Sequence, residues 1–192
     1  DDKNGITDEA PVRIFVMGDD VWREEQEWPL SRAVETKYYL HSKGKANSKS
    51  GDGNLSIDAP QSETPDVFLY NPADPVPTTG GALCCNPYFA ANGAYDQNAV
   101  EQRQDVLVYS TPPLQRDIEV TGPVTVSLWA ATSATDTDFT AKLVDVTPSG
   151  YARNLTDGII RARYRTARTP ASICTPGALY RTPVCPCRLT KG

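Results

Sequence analysis

Four consecutive β-strand patterns fill the stretch from residue 104 to residue 165, and no helix-length pattern separates them. The last pattern, over 158–165, places Ile160, Ala162 and Tyr164 on one side of an extended ribbon and arginines on the other. Strands that follow one another without crossover helices pair antiparallel or switch between two sheets. The connectivity therefore predicts an all-β fold, a β-sandwich whose sheets have one buried face and one wet face.

Further short strands are predicted at 11–17, 36–41, 54–58 and 66–70. Residues 21–29 carry Trp22 and Trp28 among charged side chains, and we expect an irregular connector that lays both indoles on the sheet. Residues 42–53 are polar, with too little apolar surface to offset the entropy of ordering them, which predicts a mobile hairpin tip. Residues 71–81 are rich in Pro and Gly and predict a surface loop.

The size and charge of the chain limit its partners. With 192 residues, we expect a single domain with one sizeable core. The formal net charge of −5 removes the attraction on which binding to nucleic acid or anionic membranes usually depends, so neither partner is expected. No run of about 18 apolar residues is present to span a membrane. The first residues lack a signal-peptide pattern, and we expect the N-terminus to continue from a preceding segment.

Residues 168–192 differ in composition from the rest of the chain. All 24 acidic residues precede them, while three of the five cysteines lie within them. An odd number of cysteines cannot close entirely into intrachain disulfides, and neighbouring Cys84 and Cys85 cannot readily bridge to each other. A disulfide framework is therefore not expected, and the compartment stays open, with the cytoplasm slightly favoured.

The sequence predicts no catalytic centre of its own. A hydrolytic triad needs a nucleophile, a histidine base and an acid that orients the base, and α/β-hydrolases present the serine on a G-x-S-x-G elbow. That elbow is missing from this sequence, and His41 is its single imidazole. The position of His41 at a strand end favours a solvated histidine over a catalytic base.

Other clusters of polar residues admit both a functional and a structural role. The carboxylates of Asp136, Asp138 and Asp145 could bind Ca²⁺ or accept hydrogen bonds from the backbone amides of nearby loops. Their spacing favours the second, structural role. The cysteine pairs have the wrong spacing for zinc (Cys84, Cys85, Cys185 and Cys187). The arginine row could bind an anion, but a salt-bridged strand face is favoured (Arg161, Arg163 and Arg165). We therefore expect no metal site and no cofactor. Asn154 begins a glycosylation sequon.

Eight ordered strings resemble a known family. Among them are PVRIFVMG at 11–18, DPVPTTGG at 74–81, DTDFTAKLVDV at 136–146 and DGIIRARYR at 157–165; the others lie at 36–40, 96–103, 105–110 and 119–124. Together they resemble the C-terminal domain of the X-Pro dipeptidyl-peptidase, cocaine-esterase and α-amino acid ester hydrolase group, the CocE/NonD serine hydrolases. The resemblance covers roughly residues 1–167.

The resemblance implies a galactose-binding-domain-like jelly-roll β-sandwich that lacks its last strands. Residues 1–10 would end the link from an α/β-hydrolase domain, and residues 11–167 would form the jelly roll. Residues 168–192 would be an aberrant, unstructured tail, and the composition break at Arg168 suggests a frameshifted or mis-spliced end.

The same resemblance implies a function for the chain. It would be the non-catalytic C-terminal domain, or a fragment, of a serine hydrolase that acts on esters, amides or the bond after an X-Pro dipeptide. The family's serine, acid and histidine lie upstream, so none is assigned to this chain. The domain would pack on the α/β-hydrolase catalytic domain of the same protein, shape the active-site cleft and support a homodimer. The candidate contact residues are Trp22, Trp28, Pro75 and Pro77.

A second reading is a stand-alone carbohydrate-binding module, because jelly rolls also serve as lectins. Such a module needs exposed aromatic rings beside a polar groove. In this sequence only Tyr88, Phe89 and Tyr95 cluster closely enough to qualify.

Overall fold

The computed structural model describes residues 5–83, 88 and 91–165, and the backbone of 180–189. The strands in these ranges are β1 (Val12–Val16), β2 (Val21–Glu25), β3 (Tyr39–His41), β4 (Asn54–Ser56), β5 (Gly122–Ala130), β6 (Asp138–Val146), β7 (Ala152–Arg161) and β8 (Tyr180–Leu189). One short α-helix, α1 (Asn98–Glu101), and two 3₁₀ turns, Ile6–Asp8 and Ala162–Tyr164, complete the elements described. Each of these described helices is far too short to cross a bilayer.

The strands form four two-stranded sheets. Neighbouring pairs are β1 with β2, β3 with β4, β5 with β8 and β6 with β7. The first three pairs are antiparallel with defined register, and a bulge interrupts the β5–β8 pair between Thr125 and Val126. The predicted all-β class is confirmed, because strands dominate and helix is scarce. The jelly-roll order of the strands stays a prediction.

The chain divides into two compact units. The first unit takes in 1–34, 118–141 and 157–192, and the second takes in 35–117 and 142–156. A small core lies in the first unit, where Ile14, Val16 and Leu30 are buried and Val12 and Trp28 pack against them. Burial in the second unit is divided between polar and apolar residues: Ser48, Gln97 and Asn154 are each at most 4% exposed, and Ala46, Val100 and Ala152 at most 6%.

The β1–β2 hairpin corrects the expectation of an irregular connector after residue 20. Val21–Glu25 is a strand, and Phe15 faces Trp22 in the antiparallel register. The turn between the strands uses left-handed backbone at Gly18 and Asp20, which suits a tight reversal. Only Glu24 of the charged residues of β2 is exposed, whereas Arg23 and Glu25 are partly buried. Their charges are accommodated by ion pairs (Arg23 with Asp19 and Glu119, Glu25 with Arg32).

The loop over 42–53, called the polar loop, is packed, so the expectation of a mobile tip is wrong. Ala46 is completely buried and Ser48 is 4% exposed. The amide of Ser48 donates to the carbonyl of Val106 at 2.7 Å, and the amide of Val108 donates to the carbonyl of Ala46 at 2.9 Å. Backbone hydrogen bonds to a distant segment therefore replace the apolar burial that the loop lacks.

Two predicted strands take other forms. Residues 66–70 and residues 105–109, which hold the first of the four strand patterns within 104–165, lie outside the regular ladders, and Leu107 makes an isolated bridge with Asn47. The predicted 158–165 ribbon ends at Arg161, where the 3₁₀ turn begins. Its inward residue Ala162 is nevertheless buried, and its amide donates to the carbonyl of Thr137 at 2.8 Å.

Strand β8 lies within the segment for which the sequence predicts no regular structure. It runs antiparallel to β5, with Gly122 opposite Leu189 and Ala130 opposite Tyr180. The backbone of β5 supplies the hydrogen-bond partners of β8, and no local sequence pattern predicts this pairing. The domain boundaries at residues 10 and 167 stay predictions.

We predict that Gly53→Ala destabilises the protein, because an added Cβ would overlap the backbone carbonyl of Val108. Backbone cannot move aside cheaply, so the free energy of unfolding should fall by about 1–3 kcal/mol. Urea denaturation measures this change. Lys45→Ala, an exposed change in the same loop, is the control and should stay within about 0.5 kcal/mol of the parent. Equal stability of the two variants would mean that the loop is not packed.

Candidate interaction surface

Four consecutive apolar side chains are exposed in the second unit. Val67, Phe68, Leu69 and Tyr70, called the apolar segment, are 75%, 42%, 85% and 53% exposed. The proline loop, residues 71–81, follows directly, and Pro75 and Pro77 are also exposed. Scattered apolar residues are normal on a surface, but a contiguous apolar run indicates a contact surface.

The carboxylate of Asp66 fixes the start of the apolar segment. It accepts hydrogen bonds from the hydroxyl of Ser42 (2.6 Å), the amide of Ala46 (2.8 Å) and the hydroxyl of Tyr109 (2.7 Å). Burial raises the pKa of this carboxyl, but the three donors outweigh burial and hold the pKa below its ordinary value. The side-chain amide nitrogen Nδ2 of Asn47 also donates to the carbonyl of Val67 at 3.0 Å.

Arg103 fixes the middle of the proline loop. Its guanidinium donates to both carboxylate oxygens of Asp105 at 2.8 Å and to the carbonyl of Asp74 at 2.8 Å. The hydrogen bonds to Asp105 and Asp74 raise the pKa of Arg103, and the bond from Arg103 lowers the pKa of Asp105. Bidentate geometry of this kind is among the stronger polar contacts. Arg103 therefore fixes the backbone at Asp74, the residue that precedes the candidate contact residue Pro75.

Gln97 fixes the far end of the proline loop. Its buried amide nitrogen donates to the carbonyl of Thr79 at 2.9 Å, and its oxygen accepts from the ammonium of Lys142 at 2.8 Å. Gly80 lies so close to Gly93 that a side chain at Gly80, which also has a left-handed φ of 68°, would be strained. The middle and the far end of the proline loop are therefore fixed by the same unit.

Of the two tryptophans predicted to make contacts, one is exposed and one is partly buried. Trp22 is 61% exposed, its ring lies 5.4 Å from that of Phe15, and the guanidinium of Arg13 lies 5.1 Å from its centre. Trp28 packs against the core of the first unit. Trp22 therefore presents an aromatic surface, while Trp28 supports the hairpin.

His41 has hydrogen-bond partners on both ring nitrogens, so the expectation of a solvated histidine is wrong. Its Nδ1 lies 2.6 Å from Oε1 of Glu63, and its Nε2 lies 2.9 Å from the carbonyl oxygen of Asp58. The hydrogen bond to Glu63 raises the pKa of His41. A triad base needs one nitrogen directed at a nucleophile, and here a backbone carbonyl takes that position.

Two arginines of the row pair with two of the carboxylates, and the guanidinium of Arg165 donates to the carbonyl of Ala162 at 3.0 Å. Arg161 binds Asp138 through two contacts of 2.8 Å, and Arg163 binds Asp136. Asp136 also accepts the backbone amide of Arg163 at 3.1 Å, as expected for a residue that ties loop backbone. Asp145 binds Arg153 rather than joining the other carboxylates. Within the described ranges no group of three ligand-type side chains converges on a point.

The remaining candidates from the sequence are the cysteines, the aromatic group and the glycosylation sequon. Cys84, Cys85 and Phe89 lie outside the described residues, and only the backbone is described at Cys185 and Cys187. Tyr88 is 95% exposed and Tyr95 42% exposed, and their grouping with Phe89 stays a prediction. The sequon residue Asn154 is 3% exposed and its oxygen accepts the amide of Tyr95 at 2.7 Å, so it has an internal structural role.

Sequence reasoning missed the three residues that fix the surface. Asp66, Gln97 and Arg103 each bind segments far away in sequence, with separations of up to 57 residues. One signal was available for Gln97 and Arg103, since both lie in a string shared with the resembled family. No local pattern marks Asp66.

We predict that Asp66→Asn lowers the free energy of unfolding by about 2 kcal/mol at neutral pH, because three donors lose a charged acceptor. Urea unfolding measures this difference. The folded pKa of Asp66 is lowered, so its contribution is present above the ordinary pKa and disappears as pH falls through the folded value. The difference between parent and variant should therefore shrink in acid. Tyr109→Phe, which removes one donor, should cost about 1 kcal/mol; an unchanged Asp66→Asn variant at neutral pH would contradict the assignment.

Comparison with known proteins places the fold in a family. A family model described as the X-Pro dipeptidyl-peptidase C-terminal non-catalytic domain matches residues 4–188. Cocaine esterase of Rhodococcus sp. (strain MB1 Bresler) is 46% identical over 173 residues, which are 90% of this chain and 30% of the esterase.

Two solved structures are similar in fold. An α-amino acid ester hydrolase matches with a TM-score of 0.72 and 26% identity, over 90% of this chain and 30% of that one. An aminopeptidase from the marine sediment archaeon Thaumarchaeota archaeon matches with a TM-score of 0.69 and 27% identity, over 93% of this chain and 30% of that one. The chain thus spans about a third of the length of these proteins. It belongs to the family of X-Pro dipeptidyl-peptidase C-terminal non-catalytic domains and is a C-terminal domain of the CocE/NonD hydrolase type.

Proposed function

We propose that this chain is the auxiliary domain of a serine hydrolase, which acts as an X-Pro dipeptidyl-peptidase or as an ester or amide hydrolase. In this role it packs on the α/β-hydrolase catalytic domain of the same protein and forms part of the wall of the active-site cleft. Acyl transfer through a serine and an oxyanion hole then belongs to the catalytic domain. The chain contributes contacts and shape rather than a reacting group.

The observation that carries this proposal is the exposed apolar segment on a fixed backbone. Four neighbouring apolar side chains lose contact with water only when another surface covers them. Asp66 and Arg103 hold the adjoining backbone in one conformation before any partner arrives. Preorganisation of this kind lowers the entropy cost of docking, which suits a permanent contact between domains.

The candidate contact residues fall into two separate groups. Pro75 and Pro77 continue the surface of the apolar segment in the second unit. Trp22 presents an exposed ring in the first unit, and Trp28 supports its hairpin from the core side. Aromatic anchors and stiff prolines are residue types that concentrate contact energy with little loss of side-chain entropy. The same surfaces are suited to a homodimer, which we propose only as a secondary role.

The relatives support the choice of partner. Cocaine esterase is 46% identical to this chain over 30% of the esterase's own length. In our proposal, the remaining part of such a longer protein contacts the apolar segment that is exposed in this chain.

A chimera with cocaine esterase tests the contact between this chain and a catalytic domain. The 173 matched residues of the Rhodococcus cocaine esterase are replaced by this chain, and kcat/KM is measured on a p-nitrophenyl ester. The chimera should hydrolyse the ester, and the unfused chain should not. Leu69→Asp in the chimera should lower kcat/KM by about tenfold or more, because a charge in a buried contact disturbs the docking of the two domains.

Leu114→Asp is the matched control, since Leu114 is 57% exposed in the same unit but outside the apolar segment. This variant should keep the kcat/KM of the chimera. If both variants lose activity equally, or neither does, the apolar segment is not the contact. Ester hydrolysis by the unfused chain, abolished by a substitution within it, would overturn the auxiliary role itself.

A further inference from the structure

His41 lies between two hydrogen-bond acceptors from a single loop. Its Nδ1 faces Oε1 of Glu63 at 2.6 Å, and its Nε2 faces the carbonyl oxygen of Asp58 at 2.9 Å. The other oxygen of Glu63 accepts the backbone amide of Ser42 at 3.4 Å. The loop from residue 57 to residue 65 is thus joined to the end of β3 by both nitrogens of His41 and, more weakly, by the amide of Ser42.

The protonation state of the His41 ring decides whether both of its hydrogen bonds can form. A carbonyl oxygen and an ionised carboxylate can only accept, so each nitrogen of His41 must carry a proton to make its bond. A neutral imidazole has one N–H, and its other nitrogen then directs a lone pair at an acceptor. Only the imidazolium satisfies both partners.

We propose that His41 is a pH-dependent latch, which holds the loop over 57–65 closed while the ring is doubly protonated and releases it when the ring becomes neutral. The inference does not depend on the proposed function, because it concerns a loop and a histidine within one unit.

The groups around the ring agree with this role. Glu63 and Asp58 are the acidic residues that act on His41. From its own strand, Tyr39 lies with its ring centre 6.5 Å away, and the register partner on β4 is uncharged Asn54. The hydrogen bond to Glu63 raises the pKa of His41 by more than burial lowers it. A raised folded pKa means that the latch is complete below the ordinary pKa of histidine and opens as pH rises through the folded value.

Two measurements on the full 192-residue chain test the latch. The chain has one histidine, so a single imidazole Cε1–H resonance reports its titration by NMR. We expect a pKa above the ordinary value of about 6.5. In parallel, proteinase K cleavage within 57–65 is measured at about pH 6 and about pH 9, on either side of the ordinary value. Each rate is divided by that of a free peptide of the same sequence, which removes the pH dependence of the protease.

The relative cleavage rate should rise several-fold with pH in the parent and stay flat in His41→Gln, which cannot titrate. Glu63→Gln keeps an acceptor but removes the charge, so it should lower the pKa of His41 and move loop opening to lower pH. A titration at or below the ordinary value in the parent would overturn the latch. So would a pH-independent cleavage ratio in the parent, or the same rise in His41→Gln.

Discussion

The carboxylate of Asp66 is the contact on which the second unit depends. It accepts hydrogen bonds from two stretches that are distant in sequence, from Ser42 and Ala46 in the polar loop and from Tyr109. Because a half-buried carboxylate with three donors stays ionised, its hydrogen bonds are charge-assisted and stronger than neutral ones. The polar loop, the start of the apolar segment and the 105–110 stretch thereby meet at one side chain.

This arrangement explains how a segment without an apolar core can be ordered. The few buried residues of the second unit are largely polar or small, so hydrophobic burial contributes little. Backbone amides of the polar loop find carbonyl partners at Val106 and Glu101 instead. Such a unit is ordered through satisfied polar groups, and its apolar segment can therefore stay exposed.

The sequence predicts the local features of this fold and misses the features that depend on distant pairing. Strands β1, β5 and β6 follow from alternating or continuous apolar residues, and the all-β class follows from them. The polar loop was misjudged because its partners near Val106 lie more than 50 residues away. Strand β2 is not predicted because its charged residues are typical of a connector, and the partner that accommodates Arg23 on the partly buried face, Glu119, lies far away in sequence.

The same division holds for the candidate surface. Pro75, Pro77 and Trp22 could be chosen from residue type alone, and each proves to be exposed. Their supports could not be chosen, because Asp66 and Arg103 are ordinary charged residues whose importance lies in what they bind. The family resemblance added what local patterns lack, namely a role in which exposed apolar residues belong on the surface of an auxiliary domain.

Amide hydrogen exchange of the polar loop tests this account most directly. The amides of Ala46, Ser48 and Lys49 donate to Asp66, Val106 and Glu101 at 2.8, 2.7 and 2.6 Å. If these bonds order the unit, the three amides exchange as slowly as amides within strand β5. Exchange at the rates of an unstructured peptide would show that the polar loop is mobile and that Asp66 does not hold the unit together.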